Sequence, residues 1–100
     1  LIGFSKTMSL ELAPDRITIN TICPGYINTT RLDKVFRQQA DGEGRPFDAF
    51  IADLARSIPL GRLGTPDDIA AMVALLVSPR GSFVTGTTIQ VDGGSRSSLL

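Results

Sequence analysis

Asn20-Thr21-Ile22-Cys23-Pro24-Gly25-Tyr26-Ile27-Asn28-Thr29 is a β-branched run that stops at Pro-Gly and resumes with hydroxyl side chains. Ile17 to Cys23 reads as a strand buried on both faces, the pattern of a parallel sheet. A proline at its end cannot donate a ladder hydrogen bond, and the glycine that follows admits close backbone approach by a flat ligand. Thr29 or Thr30 then offers a hydroxyl to cap a helix. A lone Pro-Gly is more often a plain turn. Here it lies between a strand end and a helix start, where open α/β sheets hold their ligands.

Outward from that stretch, Leu1, Phe4, Met8 and Leu12 recur at helical spacing, with Ile2 and Leu10 widening the apolar surface. Ala13-Pro14 ends this helix. A helix apolar on more than one side is suited to pairing with a copy of itself. Downstream, Leu32, Val35 and Phe36 mark a short helix, residues 40–46 interrupt it, and Phe47, Phe50, Ile51, Leu54 and Ile58 mark another. These two helices read as a lid over residues 29–58. Thr65-Pro66-Asp67-Asp68 starts a helix with Ile69, Met72, Val73 and Leu76 on its inner stripe, and Ser78-Pro79 stops it. Phe83 to Gly86 leads into a strand over Thr87 to Val91, closed by Asp92-Gly93-Gly94. Helix, strand, two-helix lid, helix, strand is an α/β order whose crossover implies parallel strands in a doubly wound sheet. The chain opens inside a helix without a cap, so residues 1–100 read as the back portion of one larger domain.

Apolar residues make up 42% of the 100, and the formal net charge is zero, so no bulk field recruits nucleic acid or an anionic membrane. No apolar run approaches a membrane span. A single cysteine, Cys23, cannot form an internal disulfide; it reads as a small buried hydrophobe and fits a cytoplasmic protein. With no histidine, the segment holds no Ser-His-Asp triad, no Cys-His dyad and no histidine-bound metal, and no metal site is expected. No tryptophan and one tyrosine argue against an aromatic platform for single strands. Asp67 and Asp68 are explained by the positive end of a helix dipole. Arg31, Lys34 and Arg37 read as a solvated helix face, with docking of an acidic carrier protein as the sharper alternative.

Three blocks carry a family resemblance. They are Asn20 to Thr29 around Pro24-Gly25, Ile58-Pro59-Leu60-Gly61-Arg62 through Gly64 and Pro66 to Asp68-Ile69-Ala70, and Thr85-Gly86 through Val91-Asp92-Gly93-Gly94. In order and spacing they resemble the C-terminal part of a short-chain dehydrogenase/reductase, nearest in pattern to the 3-oxoacyl-(acyl carrier protein) reductase type. The resemblance implies a Rossmann-like domain that interconverts a carbonyl and an alcohol by hydride transfer with NAD or NADP. It places the family's glycine-rich turn, its Ser and its Tyr-x-x-x-Lys upstream of Leu1, so no catalytic residue falls in this segment and Lys6 does not match that lysine. It puts Pro24 and Gly25 against the nicotinamide ring, the backbone of Ile27 on the carboxamide, and the Thr29 hydroxyl on carboxamide or pyrophosphate. It makes the substrate a 3-oxoacyl thioester or another small ketone, with Tyr26, Leu32, Phe36 and Phe47 as candidate pocket walls in the lid. Phe36 and Phe47 read equally well as residues that pin the lid to the sheet. It also implies a homo-oligomer, commonly a tetramer, joined through the first helix. A non-catalytic nucleotide-binding or scaffolding relative is the rival reading, since the deciding Tyr and Lys are upstream. Ser95 to Leu100 reads as a tail that frays or packs on a neighbouring subunit.

Overall fold

The computed structural model describes residues 2–95, so the Ser95 to Leu100 tail, beyond its first residue, lies outside the described residues. The element order is α1 (Ile2–Leu12), β1 (Thr21–Pro24), α2 (Thr30–Gly42), α3 (Phe47–Ser57), α4 (Pro66–Val77) and β2 (Thr88–Val91). Single 3-10 turns follow α1 and α4. The described residues divide into two compact units, 2–23 with 67–91, and 24–66 with 92–95.

In the first unit β1 and β2 pair in a two-stranded parallel sheet. Their lead-in segments ascend together, with Gly86 N–H donating to Ile19 O at 2.8 Å and Thr21 N–H to Thr87 O at 2.9 Å. The predicted strand from Ile17 is shortened to Thr21–Pro24. The reason is local: Ile19 N–H donates to the Thr85 hydroxyl at 3.1 Å, so a side chain replaces a ladder carbonyl there. Thr21, Ile22 and Cys23 are half-buried rather than sealed on both faces. Thr18, Ile19, Asn20 and Ile22 border an open groove of about 400 Å³ whose other wall is Val73, Leu76 and Val77 of α4.

The fully covered residue of α1 is Ser9, at 1% exposure, whereas Phe4 and Leu10 are 66% and 68% exposed. Met8 and Leu12 of the apolar spacing are half-buried, and the rest of the apolar surface stays open. Ser9 Oγ donates to the Lys6 carbonyl at 2.6 Å, which satisfies its polar atom without leaving the helix. A methyl on Gly86 would stand 2.7 Å from that Oγ, so two small residues mark the closest approach of α1 and the bend before β2. The helix end is closed by Ile17 N–H donating to Leu12 O at 3.3 Å, across Arg16 in the left-handed region with φ 61°.

The second unit holds the helix pair. Thr29, extended at φ −116°, caps α2 by accepting from Leu32 N–H at 3.2 Å, which decides between the two candidate threonines. α2 outlasts the predicted break and runs to Gly42. Its end is set by Gly44 at φ 67°, which turns Arg45 N–H back onto Ala40 O at 2.9 Å. Ile58 falls one residue past α3, extended and 3% exposed. Phe36, Ala40 and Phe50 form the buried centre, with Leu32, Phe47, Ile51, Leu54 and Leu63 packed on it. On the solvent side Asp53 pairs with Arg45 and Arg56, and Arg45 also meets Glu43. Among the described residues no helix is long and apolar enough to cross a membrane.

Candidate functional site

Pro24 is the exposed last residue of β1, and the chain that leaves it is bridged through its backbone to Gly64. Tyr26 O accepts from Gly64 N–H at 2.9 Å, and Asn28 N–H donates to Gly64 O at 2.8 Å, making a parallel bridge between Ile27 and Gly64. In such a bridge the central residue's own peptide groups face the opposite way. Ile27 N–H and C=O therefore point away from Gly64, and no other described residue hydrogen-bonds them. The Ile27 side chain is buried, which fixes the peptide's orientation. A buried residue with a donor and an acceptor left without a protein partner is a ready partner for a planar amide.

Thr29 follows one residue after Asn28 and commits a lone pair to Leu32 N–H. Its hydroxyl proton remains available to donate, next to a helix N-terminus whose dipole favours negative charge. Gly25 also meets a packing demand. A methyl on it would lie 2.6 Å from Asp92 Cβ and 2.8 Å from Asp92 Cα. Its missing side chain makes room for Asp92, which sequence reasoning treated only as part of a turn. The signal was present in the glycines around it: Gly93 at φ 64° and Gly94 at φ 88° bring this turn against Ile58 and Pro59, and Leu60 N–H donates to Gly93 O at 3.0 Å. Gly64, the bridge partner of Ile27, was likewise unassigned.

The candidate pocket residues separate into two groups. Leu32, Phe36 and Phe47 belong to the cluster between α2 and α3, with Phe36 only 6% exposed. They pack the helix pair on itself. Tyr26 stands apart at 46% exposure, its ring edge-on to Phe36 with centroids 6.0 Å apart. One edge of that ring is thus anchored and the other is open.

A family described as "Enoyl-(Acyl carrier protein) reductase" matches residues 1–96. Among curated proteins, the chain is 37% identical over 94 residues to the short-chain reductase protein NovJ of Streptomyces niveus, covering 94% of this chain and 34% of that one. It is 39% identical over 94 residues to the 3-oxoacyl-[acyl-carrier-protein] reductase FabG of Rickettsia conorii, with the same coverage of 94% and 34%. Among solved structures, a short chain dehydrogenase family protein from Francisella tularensis superposes with TM-score 0.89 at 33% identity, over 94% of this chain and 39% of that chain. L-sorbose reductase from Gluconobacter frateurii, complexed with NADPH and L-sorbose, superposes with TM-score 0.88 at 30% identity, over 99% and 38%. The chain thus spans about a third of the length of the curated relatives it matches.

Proposed function

The chain belongs to the short-chain dehydrogenase/reductase family, and from that premise we propose that it supplies the nicotinamide side of an NAD(P)-dependent oxidoreductase that interconverts a carbonyl and an alcohol. The observation that carries this reading is the peptide of Ile27 turned away from Gly64, set two residues before the capping hydroxyl of Thr29. Ile27 N–H and C=O match the acceptor and donor of a carboxamide, and the Thr29 proton adds a third polar contact. Pro24 and Gly25 offer a surface without a side-chain donor for an aromatic ring. The residues present therefore fit a nicotinamide.

When bound, the reduced nicotinamide supplies the hydride. The residues here fix orientation rather than move protons: two peptide groups and one hydroxyl hold a flat group in a single pose, which is what directional transfer requires. The acid–base residues belong to the upstream portion, which fits relatives nearly three times as long as this chain. Residues 1–100 then act as the C-terminal part of one domain, with residues 29–58 as the lid and Tyr26 as the pocket wall nearest the ring. The substrate is a 3-oxoacyl thioester or a similar small ketone, in line with the name of the Rickettsia 3-oxoacyl-[acyl-carrier-protein] reductase. The working protein is a cytoplasmic homotetramer paired through the exposed apolar face of α1.

Titration of the complete polypeptide with NADPH and with NADH, followed by reduction of an acetoacetyl thioester, tests this reading. Micromolar nucleotide binding with turnover is expected. Binding without turnover of any ketone makes the protein a non-catalytic nucleotide-binding relative, and no binding at all removes the nicotinamide site.

A further inference from the structure

The turn at Asp92-Gly93-Gly94 touches two things at once. On one side its first residue fills the space a side chain at Gly25 would need, at 2.6 Å from the hypothetical Cβ to Asp92 Cβ. On the other, a methyl on Gly93 would stand 2.7 Å from Ile58 Cγ2, and the Gly93 carbonyl accepts from Leu60 N–H at 3.0 Å. Ile58 is the buried residue through which the chain leaves α3, so it is the exit of the helix pair. Gly94 N–H donates to Asp92 Oδ1 at 3.0 Å, which holds the turn closed.

We infer that this turn is a positioning element: it sets the depth of the Pro24-Gly25 peptide and relays its placement to Ile58, so that seating a nicotinamide and ordering the helix pair are one coupled event. The physical basis is that neither Gly25 nor Gly93 has room for a side chain against its neighbour, Asp92 in one case and the β-branched, buried Ile58 in the other, while the Gly93 carbonyl is tied to Leu60 N–H. Displacement of one partner therefore displaces the others instead of being absorbed by a rotamer change. Gly93 is then a positioning residue. It touches no ligand, yet its size controls how well the cofactor peptide and the lid exit fit together. The inference rests on the nicotinamide reading above, and the experiment keeps the two apart.

The test is Gly93→Ala in the complete polypeptide, with Gly94→Ala as the matched control. Both substitutions put a side chain at positive φ and carry similar backbone strain, but the Gly94 methyl meets only the Pro59 ring at 3.3 Å. Expected for Gly93→Ala is an NADPH Kd about ten-fold higher, or about 1.4 kcal/mol. Saturating NADPH should also no longer shield Gly42-Glu43-Gly44 from limited proteolysis. Gly94→Ala should lose similar thermal stability while keeping wild-type affinity and protection. Equal effects of the two substitutions would reduce the turn to a structural role and overturn the proposal. So would NADPH that binds the wild type without protecting that segment. Should Gly93→Ala not fold, Ile58→Leu deletes the facing Cγ2 methyl at conserved volume and should uncouple protection from binding. If the wild type binds no nucleotide, the cofactor reading falls. The Gly25 amide resonance without ligand then decides the relay, which requires a shift in Gly93→Ala that Gly94→Ala lacks.

Discussion

The side-chain oxygen of Asn20 accepts twice from Thr87, from its hydroxyl at 2.6 Å and from its backbone N–H at 3.2 Å. The amide end of the same side chain donates to Val84 O at 3.1 Å. One residue thus fastens the bend before β2 to the start of β1 using both ends of a planar amide. Asn20→Ala leaves those partners without it and should destabilise by about 1–3 kcal/mol, read from the urea midpoint. Asn20→Asp keeps the acceptor but faces Val84 O with an oxygen, so it should do no better than alanine. A change within about 0.5 kcal/mol for both would show the fastening to be dispensable.

Arg16 is the one non-glycine residue at positive φ among those described, at 61°. The left-handed region costs an ordinary residue about 1 kcal/mol, and glycine occupies it freely while adding a comparable or smaller loss of unfolded-state entropy. Arg16 is exposed, so its side chain adds little packing to offset that strain. Arg16→Gly should therefore leave stability unchanged or raise it by up to about 1 kcal/mol, and Arg16→Val should lower it, since a β-branched residue fits this region worst. Thermal melts that rank valine above glycine would contradict the assignment of strain.

Much of the architecture was legible because it is written in local chemistry. Pro66 with Asp67 and Asp68 announces the start of α4, and Thr29 announces α2, because caps act within one turn of chain. Of the stripe Phe47, Phe50, Ile51, Leu54 and Ile58, the first four pack as one face, while Ile58 lies one residue past the helix end. What stayed hidden depends on partners far away in sequence. Ser9 looks like a surface residue until Gly86 is seen against it, and the packing demand for glycine at position 25 shows only once Asp92 is seen beside it. The extension of α2 to Gly42 was missed because the stopping signal is Gly44, the glycine at positive φ, rather than the first glycine met. At the candidate site, the turn of the Ile27 peptide away from Gly64 follows from the bridge between them, which no periodicity encodes.

Thr29 has two duties that substitution can separate. Its Oγ1 accepts from Leu32 N–H at 3.2 Å, and its proton is proposed to meet the cofactor. Thr29→Val removes both, so stability should drop by about 0.5–2 kcal/mol while the cofactor KM rises several-fold. Thr29→Ser keeps both duties. Thr29→Asp is the informative variant: a carboxylate still caps the helix but has no proton to give at neutral pH. It should melt like the wild type and bind cofactor poorly. Wild-type cofactor kinetics in Thr29→Asp would take this hydroxyl out of the site.

The basic residues of α2 do not form one ridge. Arg37 Nε donates to Asp33 at 2.9 Å, and its guanidinium carbon stands 3.9 Å from the Phe47 ring centroid, so it is occupied within the helix pair. Lys34 is exposed and unengaged by such contacts among the described residues. Reversal of Arg37 to Glu should weaken the pair of helices by about 1 kcal/mol, through loss of the cation–π contact and repulsion from Asp33. That loss falls on every substrate alike. Lys34→Glu leaves the packing untouched and reports on docking alone. If an acidic carrier protein docks here, the KM for a carrier-borne 3-oxoacyl group should rise several-fold, more at low salt than at high. Reduction of a short thioester analogue without a carrier should be unchanged. Equal losses on the two substrates, or a salt-independent effect, would remove α2 from the docking surface.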